Sequence, residues 1–409
     1  MATFEEEVIR SLRNGSDLPF GSATRILTGR ELEQQILQKD VEFVASGGSS
    51  LRVFLGDYGT GKTLLGRSAL ELAINAGLLP IYISEPALHK PVDFYRAMIN
   101  GIITPEFSGD SLFYLLSQWS EHTIQELEAT GMQRGQDPVF LGKIRELVLE
   151  YEFTNDFNMA IAAFVEAYIL GDEELKKKIV DWMSGRKVSF WELKHFKISR
   201  RVDNKEECYL FIKDILKLSR AISYTGIAMV FDELELMQNL QSRVSLRGYE
   251  ALREILDRTS SKDFPNLLNV WLGTPEWFEN PDHGVKSYLA LYDRLKTEVS
   301  TTSESTVRVL DPVSPEIFPS LFAKIQELYQ KAYQINLADS LNDRLLEAMK
   351  QRLSSPFHGE KFVEMRQVVK SLVEFFDLIK DGQKGEDAFN IVTGNGEKQT
   401  AQAAVDFWS

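Results

Sequence analysis

The 409-residue chain has one cysteine, Cys208, so no disulfide can close within it, and no Cys/His cluster has the spacing that holds zinc. No stretch approaches the roughly 20 consecutive apolar residues that a membrane-spanning helix needs. The first residues, MATFEEEVIRS, are acidic and lack the basic and apolar regions of a secretory signal. These absences predict a cytoplasmic protein with no membrane contact. Basic residues are in deficit: 46 Lys and Arg stand against 60 Asp and Glu, a net charge of −14. That balance argues against a surface that is basic all over, as a protein coating DNA would need, while leaving room for a local basic groove. Internal repeats are absent too. What remains is a chain that is 44% apolar, ample for buried cores and long enough for two or three domains.

Residues 51–63 read LRVFLGDYGTGKT, an apolar run followed by Gly56, Asp57, Tyr58, Gly59, Thr60, Gly61, Lys62 and Thr63. Glycines at 56, 59 and 61 let the backbone turn its N–H groups inward around phosphate oxygens. Lys62 can reach the β- and γ-phosphates of a nucleotide, and the Thr63 hydroxyl can ligate Mg2+. The next segment, LLGRSALELAINAG from Leu64 onward, has helical periodicity. It sets the loop at a helix N-terminus, where the dipole favours anions. A chance match in a Gly-rich turn would lack the strand before and the helix after. The chain is therefore expected to bind a nucleoside triphosphate.

Five short apolar runs, at 52–55, 80–84, 227–231, 268–272 and 306–310, read as buried strands. Their largely apolar character fits a parallel sheet covered on both faces. With helical patterns between them, the expected fold class is α/β: a P-loop core over 51–310 built on a parallel five-stranded sheet. Residues 1–50 read as a helical lead-in ending at Gly47-Gly48-Ser49-Ser50. Residues 90–220 carry only helical patterns and form a large helical insertion between the second and third strands. Beyond Asp311 the pattern is wholly helical, Ser314 and Pro315 make an N-cap and first-turn pair, and a C-terminal helical lid is expected over 311–380. The polar, Gly-rich tail, 381–409, is expected to be mobile. It ends on Phe407-Trp408, which reads equally as a docking pair or as a functionless terminus.

The third strand delivers Asp232 and Glu233, the expected complement of a phosphate loop. Asp232 can hold Mg2+ through water, and Glu233 can orient and deprotonate the attacking water. Glu235 reads as structural or as a weak metal contact. The fourth strand leads into Leu272-Gly273-Thr274-Pro275, where Thr274 either hydrogen-bonds the attacking water or the γ-phosphate, or is a simple Thr-Pro turn. Phosphoryl transfer also gains from a cation against developing charge. Arg294 follows the fourth strand by one helix and Arg366 sits on a C-terminal helix; each is a candidate, and each also reads as a solvated helix residue.

A basic run from Lys176 to Arg201 interleaves Lys177, Lys178, Arg186, Lys187, Lys194, Lys197 and Arg200 with Trp182, Phe190, Trp191 and Phe196. Such a mixture can hold a nucleic-acid backbone and stack its bases. The plainer reading, a solvated helix face with its aromatics in the core, is preferred.

This constellation resembles the AAA+ and related signalling ATPases, closest to the origin-recognition branch, whose adenine-contacting turn Thr28-Gly29-Arg30-Glu31 resembles. A finer likeness runs through Ser11-Leu-Arg13-Asn-Gly15, the phosphate loop, Ser84-Glu85-Pro-Ala-Leu-His89, Phe231-Asp-Glu-Leu-Glu235, Leu272-Gly-Thr-Pro275, Asp293-Arg294-Leu295 and Phe375-Phe-Asp-Leu378. Together these segments are similar to the ATP-binding proteins of BREX-type bacterial phage-defence systems, the BrxD-like and BrxC-like family. They cover residues 10–90, 225–300 and, more loosely, 305–380; residues 100–220 and the tail match no motif. The resemblance implies an oligomeric, Mg2+-dependent ATPase with Glu233 as the catalytic carboxylate, assisted by Lys62, Thr274 and an Arg294 offered to a neighbouring subunit's nucleotide. It implies nucleotide contacts from Gly29, Arg30, the loop 56–63, Leu64 and Arg366, with Thr63 and Asp232 serving the metal. The lid arginine of related ATPases usually follows a proline, whereas Arg366 follows Met365. DNA-associated work in defence is implied as well, beside a helicase, methyltransferase or phosphatase-like partner.

Two other functions share the same active site: a DNA-dependent loader of the replication type, and a signalling switch in which nucleotide exchange controls assembly. A loader would carry a basic winged-helix domain after the lid, and only about 29 residues follow Lys380. A switch would carry a long repeat or effector domain. A component of a larger defence assembly is the preferred reading.

Overall fold

The apolar runs assemble into a single sheet. The computed structural model describes residues 2–393 other than 85–90, 106, 108, 134–137, 190, 192–193, 195–196, 199–204, 297–304, 338–342 and 354–364. Most of the segment Ser84 to His89, together with Phe190, Phe196, Arg200, Arg201 and the Phe407-Trp408 pair, thus lies outside the described residues. The strands are β1 (Ser50–Leu55), β2 (Leu78–Ile83), β3 (Gly226–Phe231), β4 (Leu267–Gly273) and β5 (Val307–Val309), in the order β2-β3-β4-β1-β5 with every pairing parallel. Each expected run falls on one strand, with no bound moved by more than two residues.

Every residue of β3 and β4 is buried, as parallel strands covered on both faces require. Phe231 stacks on Phe94 at 5.7 Å between ring centroids and meets Trp271 edge-on at 6.3 Å. Pro80 has no N–H to give a ladder and lies in β2, an edge strand. The outer side of that edge is covered: Ile103 N–H donates to Pro80 O and Tyr82 N–H to Gly101 O, both at 2.9 Å. In register, Leu55 stands opposite Gly273 and Phe231 opposite Trp271, so β1, β3 and β4 finish along one edge. In open α/β sheets that edge is where ligands bind.

By internal contact the chain groups into two compact units, Gln35–Leu55 with Ala69–Val309, and Met1–Gln34 with Gly56–Ser68 and Leu310–Ser409. In the first, the described residues between β2 and β3 form six long helices: Pro91–Asn100, Ser111–Ala129, Pro138–Glu150, Asn155–Leu170, Glu173–Met183 and Lys205–Ala221. Their core is aromatic, with Phe153, Phe157, Phe211 and Trp182 in successive contact at 5.3–5.8 Å between centroids. Three of the seven described basic residues in the run have acidic partners. Lys176 is buried against the rings of Phe113 and Tyr168 and bonds Glu173 at 2.6 Å, Lys178 bonds Glu174 at 2.6 Å, and Arg186 bonds Asp181 at 2.8 Å. Trp182 is in the core, whereas Trp191 is 80% exposed with Lys194 Nζ over its ring.

Asp214 ties two of these helices together. Its carboxylate accepts from Thr154 N–H at 3.1 Å and from Thr154 Oγ1 at 2.5 Å, so that Thr154, the N-cap residue of Asn155–Leu170, turns its hydroxyl away from its own helix. Burial pushes the Asp214 carboxyl up to about 6, against the Thr154 hydrogen bonds and the charge of Lys217. An unfolded aspartate titrates near ~3.9. Between those values the folded protein keeps a proton that the unfolded chain has lost, so stability falls as pH rises through the window and stays lower above it. The cost reaches at most about 3 kcal/mol, two pH units at ~1.36 kcal/mol each. Asp214→Asn is therefore expected to be more stable than wild type by about 1–2 kcal/mol near pH 8, the gap closing as pH drops below 5. Urea unfolding at several pH values measures it; a gap that does not move with pH defeats the explanation.

In the second unit, the helix Phe4–Asn14 opens with a capping box: Thr3 Oγ1 accepts from Glu6 N–H at 3.2 Å and Glu6 Oε2 from Thr3 N–H at 2.8 Å. It buries Val8, Ile9 and Leu12 against the helices Phe318–Tyr333 and Met365–Lys380, in a core shared with Phe322, Tyr329 and Phe376. Ser314 caps the turn Pro315–Ile317 by accepting from Glu316 N–H at 3.2 Å. A fork of two hydrogen bonds from Arg13 to Asp377, at 2.8 and 2.7 Å, clasps the first helix to the last long one. Tyr329 donates to the same carboxylate at 2.6 Å. Burial alone would raise the Asp377 carboxyl, but these bonds and the Arg13 charge hold it below the usual carboxylate range. The chain remains helical beyond Asp381: Gly385–Val392 forms a further helix, because Ala388, Phe389 and Val392 give it an apolar face to set on this core. Among the described residues no helix is long and apolar enough to cross a membrane.

Candidate active site

β1 leads directly into the phosphate loop. A Cβ on Gly56 would stand 2.5 Å from Thr60 Oγ1 and 3.2 Å from Leu310 Cβ, so only glycine fits. Gly59 and Gly61 have φ of +82° and +86°, and a Cβ at either would meet nothing within 4 Å. The backbone at both is thus in the left-handed region that glycine favours, with open space where either Cβ would stand. Thr60 Oγ1 closes the loop by donating to Asp57 O at 2.8 Å. Lys62 is only 7% exposed; its ammonium donates to the carbonyls of Gly56 at 2.7 Å and Asp57 at 3.3 Å and lies 5.3 Å from the Tyr58 ring centroid. Asp57, Tyr58 and Thr63 are exposed, and Leu64 is partly buried on the helical core of its unit.

A loop with left-handed glycines and a lysine ammonium beside it fits a triphosphate. The metal is a separate test. Among the described residues no group of three or more His, Cys, Asp or Glu side chains is placed to hold an ion. Mg2+ in nucleotide sites takes one or two protein oxygens and completes its shell with phosphate and water, and the Thr63 hydroxyl and Asp232 carboxylate are oxygens of that kind.

Asp232 follows the last residue of β3 and is 1% exposed. Its N–H continues the ladder onto Ile83 O at 2.9 Å. Its Oδ1 accepts from Glu233 N–H at 2.9 Å and its Oδ2 from Tyr82 Oη at 2.8 Å. Glu233 is exposed and has φ 56° and ψ 37°, a left-handed backbone on a residue that is not glycine. Such a conformation costs about 1–2 kcal/mol and is held only where the surroundings dictate it. Glu235 is turned inward at 7% exposure.

The remaining expected residues are placed as follows. Thr274 is the N-cap of the short helix Pro275–Glu279: its Oγ1 accepts from Trp277 N–H at 3.1 Å, and it is 7% exposed. Arg294, on the helix Leu289–Lys296, bonds Asp257 Oδ1 at 2.7 Å and Ala290 O at 2.6 Å. Arg366 is exposed near the start of Met365–Lys380, its Cδ 3.6 Å from the place a Cβ on Gly15 would occupy. Gly29 has φ +73°, and a Cβ there would stand 2.8 Å from Ile317 Cγ2. Ile317 also lines a shallow depression with Val313, Ser314, Pro315, Phe318, Met365 and Val368.

Arg30 does something the sequence reading does not anticipate. It is 5% exposed and donates to two backbone carbonyls, Thr60 at 2.9 Å and Asp311 at 2.6 Å, and so braces the phosphate loop from behind. Tyr82 beside Asp232 was also missed; the available signal was a hydroxyl in the otherwise apolar β2 sequence LLPIYI.

The protein-family profile described as "BREX system ATP-binding protein BrxC/D" matches residues 2–390. No curated protein matches the chain. Among solved structures the chain is similar to the Aeropyrum pernix ORC1 protein, in a structure with DNA, at 15% identity over 94% of this chain and 70% of that one, with a TM-score of 0.43. That is a weak likeness of fold alone. The profile spans almost every described residue, from the first helix to the last, and on that match the chain belongs to the BREX system ATP-binding protein BrxC/D family.

Proposed function

We propose that the protein is a Mg2+-dependent ATPase that works as a component of a bacterial anti-phage defence complex. One observation carries the reading: the left-handed Gly59 and Gly61 with open space before them, and the buried Lys62 ammonium beside the same loop. The triphosphate lies in that loop with Lys62 on its β- and γ-oxygens. Thr63, and Asp232 through water, would hold Mg2+, which would supply neutralisation of charge on those oxygens. Glu233 takes a proton from the attacking water as oxygen reaches the γ-phosphorus and ADP leaves. Thr274 can still donate its own hydroxyl hydrogen toward the water or the γ-phosphate while its oxygen caps a helix. The base lies near the turn at Gly29, with Arg366 sensing the nucleotide. Arg30 assists indirectly, by fixing Thr60.

The functional form in this reading is a cytoplasmic homo-oligomer on or near DNA, beside helicase, methyltransferase or phosphatase-like partners. Arg294 serves the nucleotide of the adjoining subunit, for which it must leave Asp257. Complementation tests this. Glu233→Gln and Arg294→Ala chains are each expected to turn over ATP slowly alone, while an equal mixture recovers a substantial part of wild-type activity. Recovery follows because one interface then combines an intact Glu233 with an intact Arg294. A mixture no faster than the average of its components rules out action between subunits.

A further inference from the structure

Asp232 is nearly sealed from solvent, and a buried carboxylate is tolerated only when its oxygens are hydrogen-bonded. Two donors serve it, one on each oxygen: the Glu233 amide on Oδ1 and the Tyr82 hydroxyl on Oδ2. They differ in what they can fix. The amide belongs to the next residue, so it fixes the carboxylate only against its own local backbone. Tyr82 belongs to β2, the neighbouring strand. It stands opposite Val230, and because side chains alternate along a strand, Tyr82, Val230 and Asp232 share one face. The Asp232 N–H to Ile83 O bond extends the same ladder, so ring and carboxylate are both referenced to the same two strands.

The consequence concerns direction. Each carboxylate oxygen has about two lone-pair sites. With one on each oxygen taken, one on each remains, and the pair of donors decides where those point. We propose that Tyr82 is a positioning residue for the metal-side carboxylate: its hydroxyl aims the open lone pairs of Asp232 at the water shell of Mg2+ in the bound Mg·ATP. A tyrosine suits the task. It is neutral, so the carboxylate keeps its charge for the metal, where a Lys or Arg would cancel it. Its ring has only two torsions, so the O–H is held in one place. The inference rests on the metal role given to Asp232 above.

The test is equilibrium binding of a fluorescent ATP analogue to the full chain, with Mg2+ stepped from zero and melting curves taken alongside. Tyr82→Phe is expected to raise the Mg2+ concentration for half-maximal binding about tenfold, the size of effect seen when an outer partner of a metal ligand is lost. Metal-free binding in EDTA should stay near wild type, while the melting temperature without nucleotide should fall modestly, because Asp232 Oδ2 loses its donor. Mn2+, which such oxygen sites hold more tightly than Mg2+, should restore much of the loss. Asp232→Asn is the companion. If Asp232→Asn leaves the Mg2+ dependence unmoved, the metal role of Asp232 itself falls. If Asp232→Asn shifts that dependence and a folded Tyr82→Phe does not, only the inference about Tyr82 is overturned. A Tyr82→Phe loss of equal size with and without metal also overturns it, because that pattern marks damaged packing.

Discussion

Lys62→Ala is expected to weaken ATP binding by about 100- to 1,000-fold, or ~3–4 kcal/mol, since it removes charge-assisted hydrogen bonds to two phosphates at once. The ammonium is already committed to the phosphate loop, bonded to the Gly56 and Asp57 carbonyls and only 7% exposed. To meet a ligand it exchanges those carbonyls for phosphate oxygens without leaving the loop. The amides of the loop remain in the variant, which is why residual binding should persist at high nucleotide. Isothermal titration with ATP reads the change directly, and a melting curve without nucleotide checks that the loop still folds. An affinity within about threefold of wild type would mean the triphosphate does not sit on this loop.

Glu233→Gln should do the opposite: leave ATP affinity within about threefold and lower turnover by ~1,000-fold, the middle of the range for loss of a general base. The amide keeps the shape of the side chain and cannot accept the proton of the attacking water. A second variant isolates the chemistry from the backbone. Because Glu233 holds φ 56° and ψ 37°, Glu233→Gly relieves a conformation that costs a side-chain-bearing residue about 1–2 kcal/mol. Part of that gain is offset by glycine's extra freedom in the unfolded chain. Glu233→Gly is thus expected to be as inactive as Glu233→Gln yet more stable than wild type by up to about 1 kcal/mol. Turnover and thermal melting moving in opposite directions would mark Glu233 as a residue kept for function at the expense of stability. A variant that is both inactive and clearly less stable would point to a structural role instead.

Much of the fold was legible along the chain. The five strands were readable because a parallel strand covered on both faces must be apolar at nearly every position, as β3 and β4 are. The helices between β2 and β3 announced themselves by periodicity alone. The helix Gly385–Val392 was hidden by its polar, Gly-rich surroundings, since three apolar side chains suffice to dock it where a core already exists. Similarly, Thr274 could be read in sequence as a catalytic hydroxyl or as a turn. Its bond from Trp277 N–H shows that it caps the helix Pro275–Glu279.

The phosphate loop was determined by the sequence itself, because its requirement is local: residues 56–63 carry glycines wherever the backbone turns left-handed or comes too close to a neighbour. The acidic couple that ends β3 was readable for the same reason, being contiguous with its strand. Tertiary structure alone decided who serves these groups. Tyr82 meets Asp232 across 150 residues of chain, Arg13 meets Asp377 across 364, and Arg30 reaches back to a carbonyl of the loop. Such pairings leave no periodic trace, because a hydrogen bond between distant residues depends on which strands and helices become neighbours, and a linear pattern carries no record of that.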